Sequence, residues 1–220
     1  MKYFLLFILI SNQVMGQTPV DRNEVITIGG IKQYIRVKGK DDSKPIFLLL
    51  HGGPGSSLMN KTDQMTGRLQ QHFVVVQWDQ RETGETLKLN KSAKPLTLEL
   101  FYNDTHDLID SLLKRFNRQK LYLAGYSWGA GPGFYIADKY PGLLYAYLAI
   151  SPVIDQWRSE TIGLEMLREK MGKQARKELA QVKVPFENAD QVYYQRKWLF
   201  KFEGQKLVSL TFRKSFVQAW

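Results

Sequence analysis

Three apolar runs, each ending in a polar loop that carries glycine, predict an α/β fold built on a mostly parallel, doubly wound sheet. The runs are Ile46-Phe47-Leu48-Leu49-Leu50, Phe73-Val74-Val75-Val76-Gln77-Trp78 and Lys120-Leu121-Tyr122-Leu123-Ala124. Their loops are His51-Gly52-Gly53-Pro54-Gly55, Asp79-Gln80-Arg81 leading to a turn at Gly84, and Gly125-Tyr126-Ser127-Trp128-Gly129. Parallel strands are covered on both faces, so they read as continuous apolar runs and not as alternations. A second observation supports this: Leu98, Phe101, Thr105, Leu108, Leu112 and Phe116 recur at helical spacing between two of the runs, with Asp104, Asp107, Asp110 and Lys114 opposite them. An amphipathic helix at that place is the crossover a parallel sheet needs.

Taken in order, Met1-Lys2-Tyr3 followed by the apolar run Phe4 to Ile10 and Val14-Met15-Gly16 has the pattern of a signal peptide over residues 1–16, which predicts export. The apolar run is too short for a mature membrane span. Val25-Ile26-Thr27-Ile28, Gly29-Gly30 and Ile31 to Lys38 predict an antiparallel hairpin around a glycine turn. A short helix is expected between Ser56 and Gln71. After Gly129 the helix Ala130 to Tyr140 is expected to continue through Gly131-Pro132-Gly133, and Tyr145 to Ile150 predicts a further buried strand. From Asp155 the pattern becomes helical, charged and aromatic-rich, notably over Ile162 to Val182 and Asp190 to Phe202. The chain thus divides into a leader at 1–16, a core at 17–154 and a helical segment at 155–220.

Composition narrows the function classes. With 220 residues and 44% hydrophobic content the chain can bury one enzyme-sized core. It has no cysteine, which excludes disulfides, a thiol nucleophile, thiolate zinc sites and a lipid-anchored cysteine. The net charge of +10 is spread without a compact basic tract, so no nucleic-acid partner is expected. No clustered metal ligands and no dinucleotide glycine fingerprint occur, so neither metal nor organic cofactor is indicated.

Chemistry concentrates at Gly125-Tyr126-Ser127-Trp128-Gly129. A serine flanked by glycines two residues away on each side, directly after a strand, is the pattern of a nucleophile elbow. The glycines remove side chains that would clash at a sharp strand-to-helix corner, and the corner presents the hydroxyl of Ser127. The amide of Trp128 then lies where it can donate to an oxyanion, and the amide of Gly53 in the loop after the first run is the expected second donor.

With HGGPG at 51 to 55, WDQR at 78 to 81 and GYSWG at 125 to 129, in that order and at these separations, the chain resembles the proline iminopeptidase-like branch of the α/β-hydrolases over roughly residues 25 to 155. Glu82-Thr83-Gly84-Glu85-Thr86 stands where that branch has glycine and then glycine-x-serine, and Tyr126 stands where many members have glycine. The resemblance implies a serine hydrolase acting through an acyl-enzyme, an aminopeptidase or esterase on a small-molecule or short-peptide substrate, with residues 155–220 as the start of a cap over the site. Trp157, Tyr193, Tyr194, Trp198 and Phe200 are pocket-lining candidates there, although packing is the commoner role for helical aromatics. Glu160, Glu165 and Glu169 are candidates to grip a free amine, by proximity in sequence alone.

In this fold the triad runs serine, acid, histidine along the chain. Here His51, His72 and His106 all precede Ser127, and the 93 residues after it hold none. The chain therefore reads as truncated, without the last strands that would carry acid and base. His51 is expected to brace the oxyanion loop, His72 to lie away from the elbow, and His106 to pack on its helix. Asp155 fits a helix N-cap better than a triad acid, and Asp79 and Arg81 are expected to form a structural pair. A sheet without its last strands would leave an apolar edge uncovered, which predicts poor solubility or partner-dependent folding. Beside the hydrolase stands a second reading, a non-catalytic fragment or binding protein that keeps the pocket without the chemistry.

Overall fold

The structure, a computed structural model, describes residues 18–90 and 95–202; the leader read at 1–16 and the final stretch 203–220 of the helical segment lie outside the described residues. Its strands are β1 (Val20–Ile28), β2 (Ile31–Gly39), β3 (Ile46–Leu50), β4 (Val74–Asp79), β5 (Leu121–Tyr126) and β6 (Leu144–Ile150). Its helices are α1 (Thr62–Thr66), α2 (Gly84–Leu89), α3 (Leu98–Arg115), α4 (Ala130–Lys139), α5 (Gln156–Lys170), α6 (Lys173–Leu179) and α7 (Ala189–Phe202). The six strands form one sheet in the order β1-β2-β4-β3-β5-β6. β1, β2 and β4 pair antiparallel, and β4, β3, β5 and β6 run parallel.

Each element follows from its sequence. The hairpin turns on Gly29 and Gly30, both at positive φ, where the handedness of a two-residue turn matches the twist of its strands. β4 is buried at every position, as a central strand covered on both faces must be. Thr97 caps α3 by accepting from the Leu100 amide at 3.3 Å, and Leu108, Ile109 and Leu112 join Leu48, Val76, Leu121, Leu123 and Ile136 in the main core. α2 was not anticipated: only a turn is legible at Gly84, and the helix is short. The expected helical stretch Ile162 to Val182 is in fact two helices, because the chain breaks at Met171 and Gly172, and α5 begins earlier, at Gln156. Helices α5 to α7 bury Leu164, Leu167, Ala175, Leu179, Val182 and Trp198 in a second cluster of their own.

Two expectations about burial need correction. Tyr145 to Ile150 forms the predicted strand, but it is not buried: among the described residues β6 is an edge of the sheet, with Tyr145 56% and Leu148 53% exposed. Its seven residues carry no charge, whereas the opposite edge strand β1 carries Asp21, Arg22 and Glu24. Asp104, expected on the polar face of α3, is fully buried. It stands three residues after Phe101 and four before Leu108, and that spacing puts it on the apolar stripe.

Glycines on either side of the α4 start test how closely the backbone is packed. A Cβ on Gly129 would lie 2.5 Å from the Leu50 carbonyl oxygen and 2.6 Å from that of His51, while one on Gly131 would meet nothing within 4 Å. Gly131→Ala is therefore expected to stabilise the protein by about 0.5–1 kcal/mol through helix propensity. Gly129→Ala should cost about 3 kcal/mol or more, because the clash is with backbone. Urea denaturation of the two variants checks both signs.

Candidate active site

The residues around Ser127 are held by backbone geometry first. β5 ends at Tyr126, and Ser127 sits at φ 53°, a left-handed conformation that a residue with a side chain adopts at a cost. One turn of 3-10 helix, Ser127–Gly129, leads into α4. The turn closes because both glycines lack side chains: a Cβ on Gly125 would lie 2.4 Å from the Gly129 carbonyl oxygen. The Trp128 ring is buried edge-on against Phe101, with centroids 5.6 Å apart.

The loop after β3 lies directly against this corner. A Cβ on Gly52 would be 3.0 Å from the Cβ of Ser127 and 3.1 Å from the carbonyl oxygen of Tyr126. Gly53 is exposed and takes φ 117°, a conformation open to glycine alone. His51 is buried and braces the loop as expected. Its Nδ1 lies 2.8 Å from the Gly52 carbonyl oxygen, and its Nε2 accepts the Gln80 amide at 3.2 Å. Burial pushes its pKa below the ordinary histidine value, opposed by the bond to Gly52 and by the Asp79 charge.

The other sequence candidates separate. Asp79 and Arg81 do not pair with each other. Arg81 is buried and forms a two-pronged ion pair with Asp104, one prong at 3.0 Å, while its guanidinium also donates to the Gly29 carbonyl at 2.7 Å. Asp104 accepts as well from Gln33 Nε2 at 2.9 Å, and Gln33 Oε1 takes the Trp78 indole N–H at 2.9 Å. Asp79 instead accepts the Glu85 amide at 2.8 Å at the start of α2, in a space where a Cβ on Gly84 would lie 2.1 Å from its carboxylate. The Asp104–Gln33 part of this network was missed from sequence. The signal available was the acid within the apolar spacing of α3.

His72 is exposed just before β4 begins, at the opposite end of the parallel strands from Ser127. His106 packs on Tyr140 with ring centroids 4.1 Å apart, on the outer side of α3. Asp155 caps α5, accepting the Arg158 amide at 2.9 Å. Among the described residues no hydrogen bond joins the Ser127 side chain to another group. The acids of the helical segment are also apart from the elbow: Glu160 is buried in an ion pair with Arg196, one contact at 2.8 Å, and Glu165 and Glu169 are exposed. Trp198 and Tyr194 belong to the packing of α5 to α7, Trp157 meets Phe186 edge-on, and Tyr193 meets Tyr194 in the same way. None of these lines the groove of about 630 Å³ beside the elbow, whose walls include Leu98, Tyr102, Trp128, Phe134, Ile154 and Gln156. Trp198 and Tyr194 thus serve helix packing, while Tyr193 is exposed. Among the described residues no helix is long and apolar enough to cross a membrane.

The sequence profile of the alpha/beta hydrolase fold matches residues 45–216. The chain is a member of the α/β-hydrolase fold family. A Bacillus subtilis (strain 168) protein named "Probable aminopeptidase YbaC" is 35% identical over 144 residues, 66% of this chain and 45% of its own length. A proline iminopeptidase of Lactobacillus helveticus is 30% identical over 118 residues, 51% of this chain and 37% of its own length. The chain thus spans less than half the length of these curated relatives. Among solved structures, a proline iminopeptidase-related protein from Thermus thermophilus superposes with a TM-score of 0.60 at 19% identity, over 83% of this chain and 60% of that one. The 2-hydroxy-6-oxo-6-phenylhexa-2,4-dienoate hydrolase of Rhodococcus sp. strain RHA1 gives 0.52 at 17% identity, over 82% and 73%. These two likenesses show a shared fold.

The site generates three predictions. Asp104→Ala leaves the Arg81 guanidinium buried and underpaired, and should cost about 3–5 kcal/mol in urea denaturation. Lys88→Ala, which removes the exposed Lys88–Glu85 pair, should cost less than about 1 kcal/mol. His51 has a folded pKa below its unfolded one, so the unfolded chain takes up the proton first as pH falls. Its contribution to stability is complete above the unfolded value of about 6.5 and declines below it, by at most about 1.4 kcal/mol per pH unit. Urea midpoints measured through that window should fall with pH in the parent protein, and that part of the slope should be absent in His51→Asn.

Proposed function

We propose that this chain carries the nucleophile half of a serine hydrolase that works through an acyl-enzyme. The observation that supports it most is the left-handed Ser127 at a strand-to-helix corner, pressed against the Gly52-Gly53 loop. In this reading Ser127 Oγ attacks a substrate carbonyl and forms an ester bond to it. The amides of Gly53 and Trp128 receive the oxyanion, the amine or alcohol leaves with the proton, and water later releases the acid. The names of the curated relatives favour an aminopeptidase of the proline iminopeptidase kind acting on short peptides, with an esterase as the neighbouring chemistry. The leader pattern at residues 1–16 supports export of the protein.

A second reading rests on a specific observation: all three histidines are placed away from the Ser127 hydroxyl or engaged elsewhere. A serine without a general base is a poor nucleophile at neutral pH, and the chain would then be a binding protein that keeps the elbow without turnover. Labelling of the purified 220-residue chain with a fluorophosphonate probe, read by intact mass, separates the two. The hydrolase reading expects one adduct that disappears in Ser127→Ala. A folded chain that takes no label rejects it and leaves the binding protein.

A further inference from the structure

The peptide between Gly52 and Gly53 is the part of the oxyanion loop pressed against the elbow, and its orientation is set by a chain of hydrogen bonds. Cis bonds among the described residues are Gly53–Pro54 and Val184–Pro185, so Gly52–Gly53 is trans. In a trans peptide the carbonyl and the following N–H share one plane and point in opposite directions. Whatever holds the Gly52 carbonyl therefore also aims the Gly53 N–H. Two donors hold that carbonyl: His51 Nδ1–H at 2.8 Å and the Ser56 amide at 3.2 Å. The Gly53 N–H itself is spent on no hydrogen bond to another described residue.

The ring can donate from Nδ1 only in one tautomer, and Gln80 selects it. The Gln80 backbone N–H points at Nε2 from 3.2 Å, so Nε2 must be the acceptor and the proton must sit on Nδ1. The Gln80 carboxamide then ties the same loop a second time, donating to the His51 carbonyl at 3.1 Å. The His51 and Gln80 side chains are buried, each residue 1% exposed, so water does not substitute for either of them. The rest of the loop is too rich in glycine to hold one orientation by sterics alone.

We propose that His51 is a positioning residue for the oxyanion hole: its Nδ1–H on the Gly52 carbonyl aims the Gly53 N–H into the space before Ser127, and Gln80 enforces the tautomer that permits it. The catalytic consequence rests on the reading of Ser127 as a nucleophile, while the relay is a property of the loop and is measurable without turnover. The sequence contains two Gly-Gly peptides, Gly29-Gly30 and Gly52-Gly53. Glycine labelled with ¹³C at the carbonyl and ¹⁵N at the amide therefore gives two cross-peaks in an HNCO spectrum of the full chain, and Gly30→Asn, at an open turn position, identifies one of them.

The expected result has three parts. Long-range ¹H-¹⁵N spectra show His51 as the Nδ1–H tautomer. The Gly52 carbonyl resonance moves upfield in His51→Gln, whose amide nitrogen replaces Nε2, and holds in His51→Asn, whose amide nitrogen replaces Nδ1. Fluorophosphonate labelling of Ser127 slows by about 10²-fold in His51→Gln, the scale of losing one oxyanion donor, and by less than about 3-fold in His51→Asn, within the scatter of a kept contact. An Nε2–H tautomer, a Gly52 carbonyl unmoved in folded His51→Gln, or equal labelling losses in both variants would overturn the proposal. Should His51→Gln not fold, the tautomer and the scalar coupling from His51 Nδ1–H to the Gly52 carbonyl carbon in the parent chain decide. Absence of any label on the parent chain counts against Ser127 as nucleophile, and the tautomer and carbonyl shift then decide the relay alone.

Discussion

The structure depends on two backbones approaching closer than side chains would permit. The start of α4 runs against the end of β3, and the Gly129 position faces the carbonyl oxygens of Leu50 and His51 at distances that leave no room for a methyl group. Gly125 meets the carbonyl of Gly129 in the same way across the turn. Because β3 and β5 are neighbours in the parallel sheet, this contact fixes both the height at which Ser127 stands above the strand ends and the place where the loop after β3 must pass. The left-handed conformation of Ser127 is the cost, of order 1–3 kcal/mol, and it persists because the surrounding backbone allows no other path.

The same corner is braced from its far side by a buried charge pair. Arg81 leaves the end of β4 and reaches Asp104 on α3, touching the hairpin turn at Gly29 on the way. Three separate pieces of chain are thereby tied: the β1–β2 turn, the end of the central strand and the helix that carries Phe101 against Trp128. A buried ion pair is not in itself a source of net stability, since desolvation of both charges offsets their attraction. Its effect is on specificity. With Gln33 and Gly29 taking further lone pairs and protons, the pair is satisfied only when hairpin, strand and helix meet in this arrangement.

Much of this was legible in the sequence because it is written in local chemistry. Continuous apolar runs gave the parallel strands, the Gly29-Gly30 pair gave the hairpin, and the spacing of glycines around Ser127 gave the elbow. What was missed depends on tertiary partners. Arg81 has two nearby acids, Asp79 two residues away and Asp104 on a helix, and sequence proximity favours the wrong one. Asp79 is drawn off by the backbone amide of Glu85 at the α2 start, which sequence shows only as a turn. β6 illustrates the other limit: an apolar heptapeptide reads as buried whether or not a neighbour covers it, and among the described residues it is a sheet edge. The aromatics of α5 to α7 carry no label in sequence that distinguishes a pocket wall from the packing of three helices.

The position of the three histidines bears on the chemistry more sharply than their number. His51 uses both ring nitrogens, Nδ1 on the Gly52 carbonyl in the loop after β3 and Nε2 as acceptor of the Gln80 amide beyond β4, so its one lone pair is already taken. His72 stands at the far ends of the parallel strands, and His106 is stacked on Tyr140 along α3. Reaching Ser127 would require either of the last two to cross the thickness of the core or the length of the sheet. In the proposed reading of Ser127 as a nucleophile, its proton acceptor is a group other than the histidines as they stand in this structure. The corner at Ser127 and the loop after β3 need no such group to form, because glycine packing and the His51–Gln80 bonds hold them. Architecture and activation are thus separable in this chain: the geometry that would stabilise an oxyanion is built from residues that do not include the base.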